Sequence, residues 1–470
     1  RVVTSPTPSP PPTATPTPSP VPTFTPSLEP PSPTPAAPAA SLSEPSGRTQ
    51  YTLYASLDYA GHRLGVGEVV RYWNQTGVPL SALVLVVEPN RWPGGFSLYF
   101  LAVNDQPTGD YSLDGNRLEV RLAEPLEPGG AATLVIQYML TLPQTASSHI
   151  YGYNYLQTNL VDWYPFIAPY DDAQGWLLHR PAEWGEHLVY DCADFEVTLE
   201  VSDPSLVIAA SAPDDLSDGY HYRLENARNF VFSASPAYRV SATTVGPVTI
   251  TSYHFGSEAA AGEAILLHAA RAVATYNALF GDYPYPALSI VEAINPDGME
   301  YSGLFFLNRD FYRQYDGSAV NNLITIGVHE TAHQWWYGWV GNDQALEPWL
   351  DEALSVYAEA LYYEYNEPRW LNTWWAFRVN AFDPRGWVDT DIYAAGSFRA
   401  YTDAVYLRGA RFLQAVRQRV GDEAFFAFLG DYAAQMGGRR ATAADFFRIL
   451  RQHTGANLSD LEGEYFRVGH

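Results

Sequence analysis

The sequence contains no lysine: all 27 of its basic side chains are arginine, set against 52 acidic ones, for a formal net charge of −25. So little positive charge excludes the basic footprint that nucleic-acid phosphates demand. It also excludes a polybasic membrane patch. A single cysteine, Cys192, rules out an internal disulfide framework, so the core must be held by burial. There is no run of about 18 apolar residues, and no segment is expected to span a bilayer. What is present is ample: 47% hydrophobic and 14% aromatic residues over 470 positions, enough for roughly two to four domains with a sizeable core.

Residues 1–48 hold 16 of the 36 prolines, interleaved with Thr, Ser and Ala. This composition cannot bury enough apolar surface to offset ordering entropy and reads as an extended spacer or stalk. Its charges (Arg1, Glu29, Glu44, Arg48) cancel, so the whole −25 falls on residues 49–470. The first residue is Arg and no charged-then-apolar leader precedes the stalk. A signal or anchor removed beforehand, or a start part-way along a longer chain, would account for that. A Pro/Thr stalk suits an extracellular or cell-surface protein, exported and held off the surface.

Residues 49–245 show short alternating segments broken by turns, expected to form an antiparallel β-sandwich-like domain. Phe195–Val201 and Leu118–Leu122 alternate with period two, as half-buried strands do. From 246 to 470 the texture becomes mixed. Ser257–Phe280 reads as a long helix capped by Ser257, Ala287–Ala293 as a strand, and Asn295–Gly298 as a loop. Helical periodicity dominates from about 321 onward, with Thr442 and Asp445 spaced as a helix cap and its partner. The fold class expected is multi-domain α+β, a β-sandwich-like domain followed by a mainly helical α/β one.

The chemistry concentrates in His329-Glu330-Thr331-Ala332-His333. On a helix, the i to i+4 spacing brings both imidazoles to one face, where their ring nitrogens reach one ion. Glu330 projects beside that ion, where a base for a bound water belongs. Eighteen residues beyond His333 comes Glu352, at the start of a second apolar-periodic stretch. Two His and one carboxylate are a catalytic zinc set that leaves a position open. One Zn2+ per chain is therefore expected.

The two motifs together resemble the aminopeptidase N family of gluzincin metallopeptidases, whose signature is HExxH, eighteen residues, then Glu in a Trp-Leu-x-Glu frame. Trp349-Leu350-Asp351-Glu352, followed by Tyr357 and Glu359, reproduces that frame. A Gly-x-Met-Glu-Asn loop is present in altered form as Asp297-Gly298-Met299-Glu300-Tyr301, with Tyr301 in the place of Asn. Tyr406-Leu407-Arg408-Gly409-Ala410 matches a Tyr-x-Lys-Gly-Ala landmark, Arg standing for Lys in a lysine-free chain. The resemblance implies a thermolysin-like catalytic domain over 246–470 and zinc held by His329, His333 and Glu352. It implies Glu330 as general base for attack by a zinc-bound water, and Tyr406 as hydroxyl donor to the oxyanion. Glu300 would pair with the substrate's α-amino group, with Gly298 and Met299 lining the same loop; at Gly298 the missing side chain would let substrate approach. Glu359 would orient a ligand imidazole, or be a solvated helix charge. Gln157 loosely matches a β-domain glutamine near the substrate amine.

The activity so implied is removal of N-terminal amino acids from peptides with a free N-terminus, by a monomer. A non-peptidase hydrolase on the same scaffold, such as an epoxide hydrolase, and a vestigial binding module are the alternatives. The sequence stops soon after its last helix, so a two-domain core with an open, solvent-accessible cleft is expected.

Overall fold

The computed structural model describes residues 47–145, 149–215 and 219–469. The spacer read over 1–48 lies outside the described residues except for its last two positions. Among the described residues, no helix is long and apolar enough to cross a membrane.

The N-terminal half is β-rich. A seven-stranded sheet runs in the order Tyr220–Ala227, Ala193–Val201, Thr49–Asp58, Arg63–Trp73, Ala131–Thr141, Phe96–Val103, Gln106–Pro107. Strand Arg63–Trp73 alternates buried and less buried positions along its length, as a strand with one face on the core must. Strands Leu80–Val86 and Arg117–Leu126 belong to a second, four-stranded sheet. Their buried Leu83, Leu85, Leu118 and Val120 join Leu53, Leu64 and Val66 of the first sheet in one core. Among the described strands the expectation of an antiparallel domain is met except at one pairing: Thr49–Asp58 runs parallel to Ala193–Val201, and an isolated bridge between Gln144 and Tyr153 is also parallel. The two strands are too far apart in sequence for a hairpin, which frees their relative direction.

A five-stranded sheet follows, ordered Tyr238–Val245, Val248–Phe255, Ala287–Ala293, Leu304–Asn308, Gly298–Tyr301. The strand expected at Ala287–Ala293 is its centre, buried at every position. Gly298 belongs to the edge strand rather than to the preceding loop, pairing with Leu307 while Glu300 pairs with Phe305. The long helix begins at Ala259, one residue after Glu258, and no side chain caps it. Ser257 gives its hydroxyl to Glu258 instead. Thr442 and Asp445 do form the reciprocal cap of helix Ala443–His453.

Among the described residues the β-rich and helical parts share one continuous core and cluster as one unit. Arg228, buried at their junction, fastens them. Its guanidinium donates to the carbonyls of Tyr190 (2.9 Å), Arg439 (2.7 Å) and Tyr337. Gly341 has no side chain because that guanidinium fills the space. The turn that follows helix Asn322–Ala332 is thereby pinned to the β-rich half.

Candidate metal centre and its surroundings

Helix Asn322–Ala332 is capped by Asn321, whose side chain accepts from Ile324 N–H. It carries His329 and Glu330, and His333 is its C-terminal cap residue, still helical in backbone conformation. Helix Trp349–Asn366 carries Glu352 in its first turn and Glu359 two turns on, on the same face. The two helices bring three ligand atoms together. His329 Nε2 and His333 Nε2 are 3.0 Å apart, and Glu352 Oε2 lies 3.2 Å from the first and 3.4 Å from the second.

Proton placement shows what this cluster fits. His333 Nδ1 faces the carbonyl of Trp336 at 2.9 Å, and His329 Nδ1 faces Glu359 Oε1 at 2.9 Å. Both partners are acceptors, so each Nδ1 carries a hydrogen and, in the neutral ring, each Nε2 lone pair turns inward. Two lone pairs and a carboxylate oxygen converging on one point repel each other unless a cation sits between them. Ligand bonds of about 2.0–2.1 Å in a tetrahedron imply edges of about 3.3 Å, close to the three observed. His329, His333 and Glu352 therefore fit one metal ion.

The electrostatics favour positive charge at the same point. Burial works against a charged His329, but its hydrogen bonds to Glu352 and Glu359 outweigh it and raise the imidazole to about 9. Burial likewise opposes charge on Glu352, yet the two imidazoles hold it well below the usual carboxylate range. The pocket is organised around positive charge.

Glu359 is buried, not solvated. It accepts from His329, from Trp374 Nε1 (2.9 Å), and from Arg378 through both Nε (2.9 Å) and Nη2 (2.8 Å). This is the fixed partner that holds a ligand imidazole in one tautomer. Arg378 and Trp374 escaped the sequence reading; they lie in an aromatic-rich stretch with no motif to mark them.

Glu330 and Glu300 both come within reach of His333. Burial raises the Glu330 carboxyl well above its ordinary range, and its Oε2 is buried without a hydrogen-bond partner. Burial also raises Glu300. Gly298 lies against Glu330, whose carboxylate fills the space that a Cβ at 298 would occupy. Met299, on the opposite face of its strand, packs against the core. Tyr301 occupies an anchored position: Gln334, next to His333, donates to its carbonyl (3.0 Å) and accepts from Gly303 N–H (2.9 Å).

Tyr406 sits in a π-helical segment, Thr402–Arg408. Its hydroxyl donates to Glu352 Oε1 and its ring lies parallel to that of His329. The Gly409 next to Arg408 is explained by packing: a Cβ there would come 2.4 Å from Ala353 Cβ. Gln157 is placed elsewhere. It is buried against Tyr238 Oη (2.7 Å), Asn159 and the carbonyl of Glu292. The chain segment from the β-rich half that does feel the site carries Glu186. Its carboxyl is raised by burial and then by Glu300, Glu352 and Asp351.

Residues 266–465 match the Peptidase family M1 domain. Aminopeptidase M1-B of Oryza sativa subsp. japonica is 28% identical over 204 residues, 39% of this chain and 23% of that protein. Aminopeptidase N of Lactobacillus delbrueckii subsp. lactis is 25% identical over 279 residues, 54% of this chain and 33% of that one. The chain thus matches only a quarter to a third of the length of these two relatives. In fold it is similar to the M1 zinc metallopeptidase from Deinococcus radiodurans, with a TM-score of 0.62 at 19% identity, covering 89% of this chain and 93% of that one. A mutant of that enzyme bound to a Tyr-Ser-Ala substrate gives a TM-score of 0.64 at 20% identity, covering 90% and 94%.

Proposed function

We propose that this protein is a zinc-dependent aminopeptidase, removing N-terminal residues from peptides. The observation that carries the reading is the convergence of His329 Nε2, His333 Nε2 and Glu352 Oε2 at 3.0–3.4 Å, with an unpartnered Glu330 oxygen beside them. The M1 domain and the aminopeptidase relatives support it. Zinc held there supplies a Lewis acid for the scissile carbonyl and acidifies a water.

The chain's own residues do the rest. Glu330, desolvated and therefore a stronger base than an exposed carboxylate, takes the proton of the attacking water and returns it to the leaving amine. Tyr406 offers its phenol hydrogen to the oxygen on which charge develops. Its present acceptor, Glu352 Oε1, shows that the hydroxyl reaches the ligand set. Glu300 pairs with the substrate's ammonium group and so fixes cleavage one residue from the N-terminus. The composition of residues 1–48, suited to a spacer, supports an exported enzyme held off a surface. Recovery of the native protein in a cytosolic fraction would overturn that location.

The direct test is metal content together with hydrolysis of aminoacyl anilides and their N-acetylated counterparts. One zinc per chain and cleavage of the free-amine substrates alone are expected. A folded protein that binds no zinc would overturn the reading, as would equal cleavage of both substrate forms.

A further inference from the structure

Gln344 lies in the turn between the two ligand helices and is buried. The turn is built by Asp343, whose Oδ1 accepts from the N–H groups of Ala345 (3.2 Å) and Leu346 (3.1 Å). Its Oδ2 meets His179 Nε2 of the β-rich half at 2.8 Å. The backbone at 344 is therefore fixed on both sides. From it, Gln344 Nε2 donates to Glu300 Oε1 at 3.1 Å and to Asp351 Oδ2 at 3.1 Å. Asp351 in turn accepts the backbone N–H of Glu352 at 2.8 Å through its Oδ1. An amide nitrogen has two hydrogens, and both are spent on buried carboxylates.

We infer that Gln344 is a positioning residue for substrate selection: its amide holds Glu300 by one oxygen, in fixed register with the first turn of the Glu352 helix, and leaves the other oxygen to receive the substrate's ammonium group. The inference rests on the reading of Glu300 as the ammonium partner. The physical case is that Glu300 belongs to an edge strand while Glu352 belongs to a helix, and backbone pairing alone does not register one against the other. A neutral double donor can bridge Glu300 and Asp351. A carboxylate at 344 would add a third like charge, and an apolar side chain would leave both unbridged. Because Gln344 acts before and throughout the reaction in the same way, its loss weakens substrate binding rather than the chemical step.

The test uses the full chain loaded with zinc, comparing Gln344→Met, Gln344→Glu, Glu300→Ala and the double variant Gln344→Met/Glu300→Ala. KM and kcat are read on an aminoacyl anilide, with zinc content alongside. For Gln344→Met we expect KM to rise about tenfold or more, the loss of a hydrogen bond to a charged group. Its kcat should stay within about threefold and its zinc content unchanged. Gln344→Glu, which keeps the volume, should behave alike and serves if the Met variant does not fold. In the Glu300→Ala background the Gln344 substitution should have no further effect, since the two act as one unit. Unchanged KM in the single Gln344 variants, or zinc and kcat falling together at constant KM, overturns the positioning role. If Glu300→Ala itself leaves KM unchanged, the ammonium reading of Glu300 fails and takes this inference with it.

Discussion

A Cβ built on Gly298 would lie 2.0 Å from Glu330 Oε1, so the Glu330 carboxylate occupies the volume that any side chain at 298 would need. The nearest obstacle is the far end of a flexible side chain. Ile326 Cγ2, at 2.8 Å, is the next. The cost of filling the position therefore falls on where Glu330 points more than on the fold.

Gly298→Ala should accordingly lower kcat by about ten- to a hundredfold, part of the 10²–10⁴ that a placed base supplies. Thermal stability and zinc content should change little. A variant with wild-type kcat, or one that loses its zinc, would contradict the argument.

Glu359 takes hydrogen bonds from His329, Trp374 and Arg378 together. Glu359→Gln weakens the hold on the imidazole and leaves Arg378 without its counter-charge. Zinc affinity should fall by about 10–100-fold, the usual effect of removing such a support. Chelator competition would measure it; unchanged affinity would show that the helix alone orients His329.

Tyr406→Phe should reduce kcat by about 10²–10³, the loss of one oxyanion donor, with KM nearly constant. A rise in KM alone, with kcat intact, would assign the hydroxyl to substrate binding instead.

Glu68 is fully buried in the β-rich half, and neither carboxylate oxygen has a hydrogen-bond partner. Burial raises it well above the ordinary carboxyl value, against a smaller opposing effect of the Tyr138 hydroxyl. The folded state then binds a proton that the unfolded chain releases, so the contribution is fully present at low pH. It is lost as pH rises from the ordinary value near 4.5 toward the raised one. Glu68→Gln should be neutral near pH 4 and stabilising by about 1–3 kcal/mol at pH 8. Denaturant unfolding of both proteins at the two pH values would decide it; equal differences at both would refute the sign.

The ligand set was legible because it is local: His329 and His333 share a helix face, and Glu352 opens the next helix in a recognisable frame. The strand Ala287–Ala293 and the cap at Thr442 were legible for the same reason. What escaped depends on segments distant in the chain. The parallel pairing of Thr49–Asp58 with Ala193–Val201, the seating of Arg378 on Glu359, and the bridge from Gln344 to Glu300 leave no periodic trace. Ser257 failed as a cap because its hydroxyl found Glu258 first. Gly298 was visible, but its reason was not. The sequence suggests room for a ligand, whereas the structure fills that room with Glu330.

The close approach of Gly409 to Ala353 has a mechanical result. The helix bearing Glu352 and the segment bearing Tyr406 meet with only the Ala353 methyl between their backbones, so a tilt of one displaces the other. The spacing between carboxylate and phenol is then set by how two helical segments pack, and not by a loop.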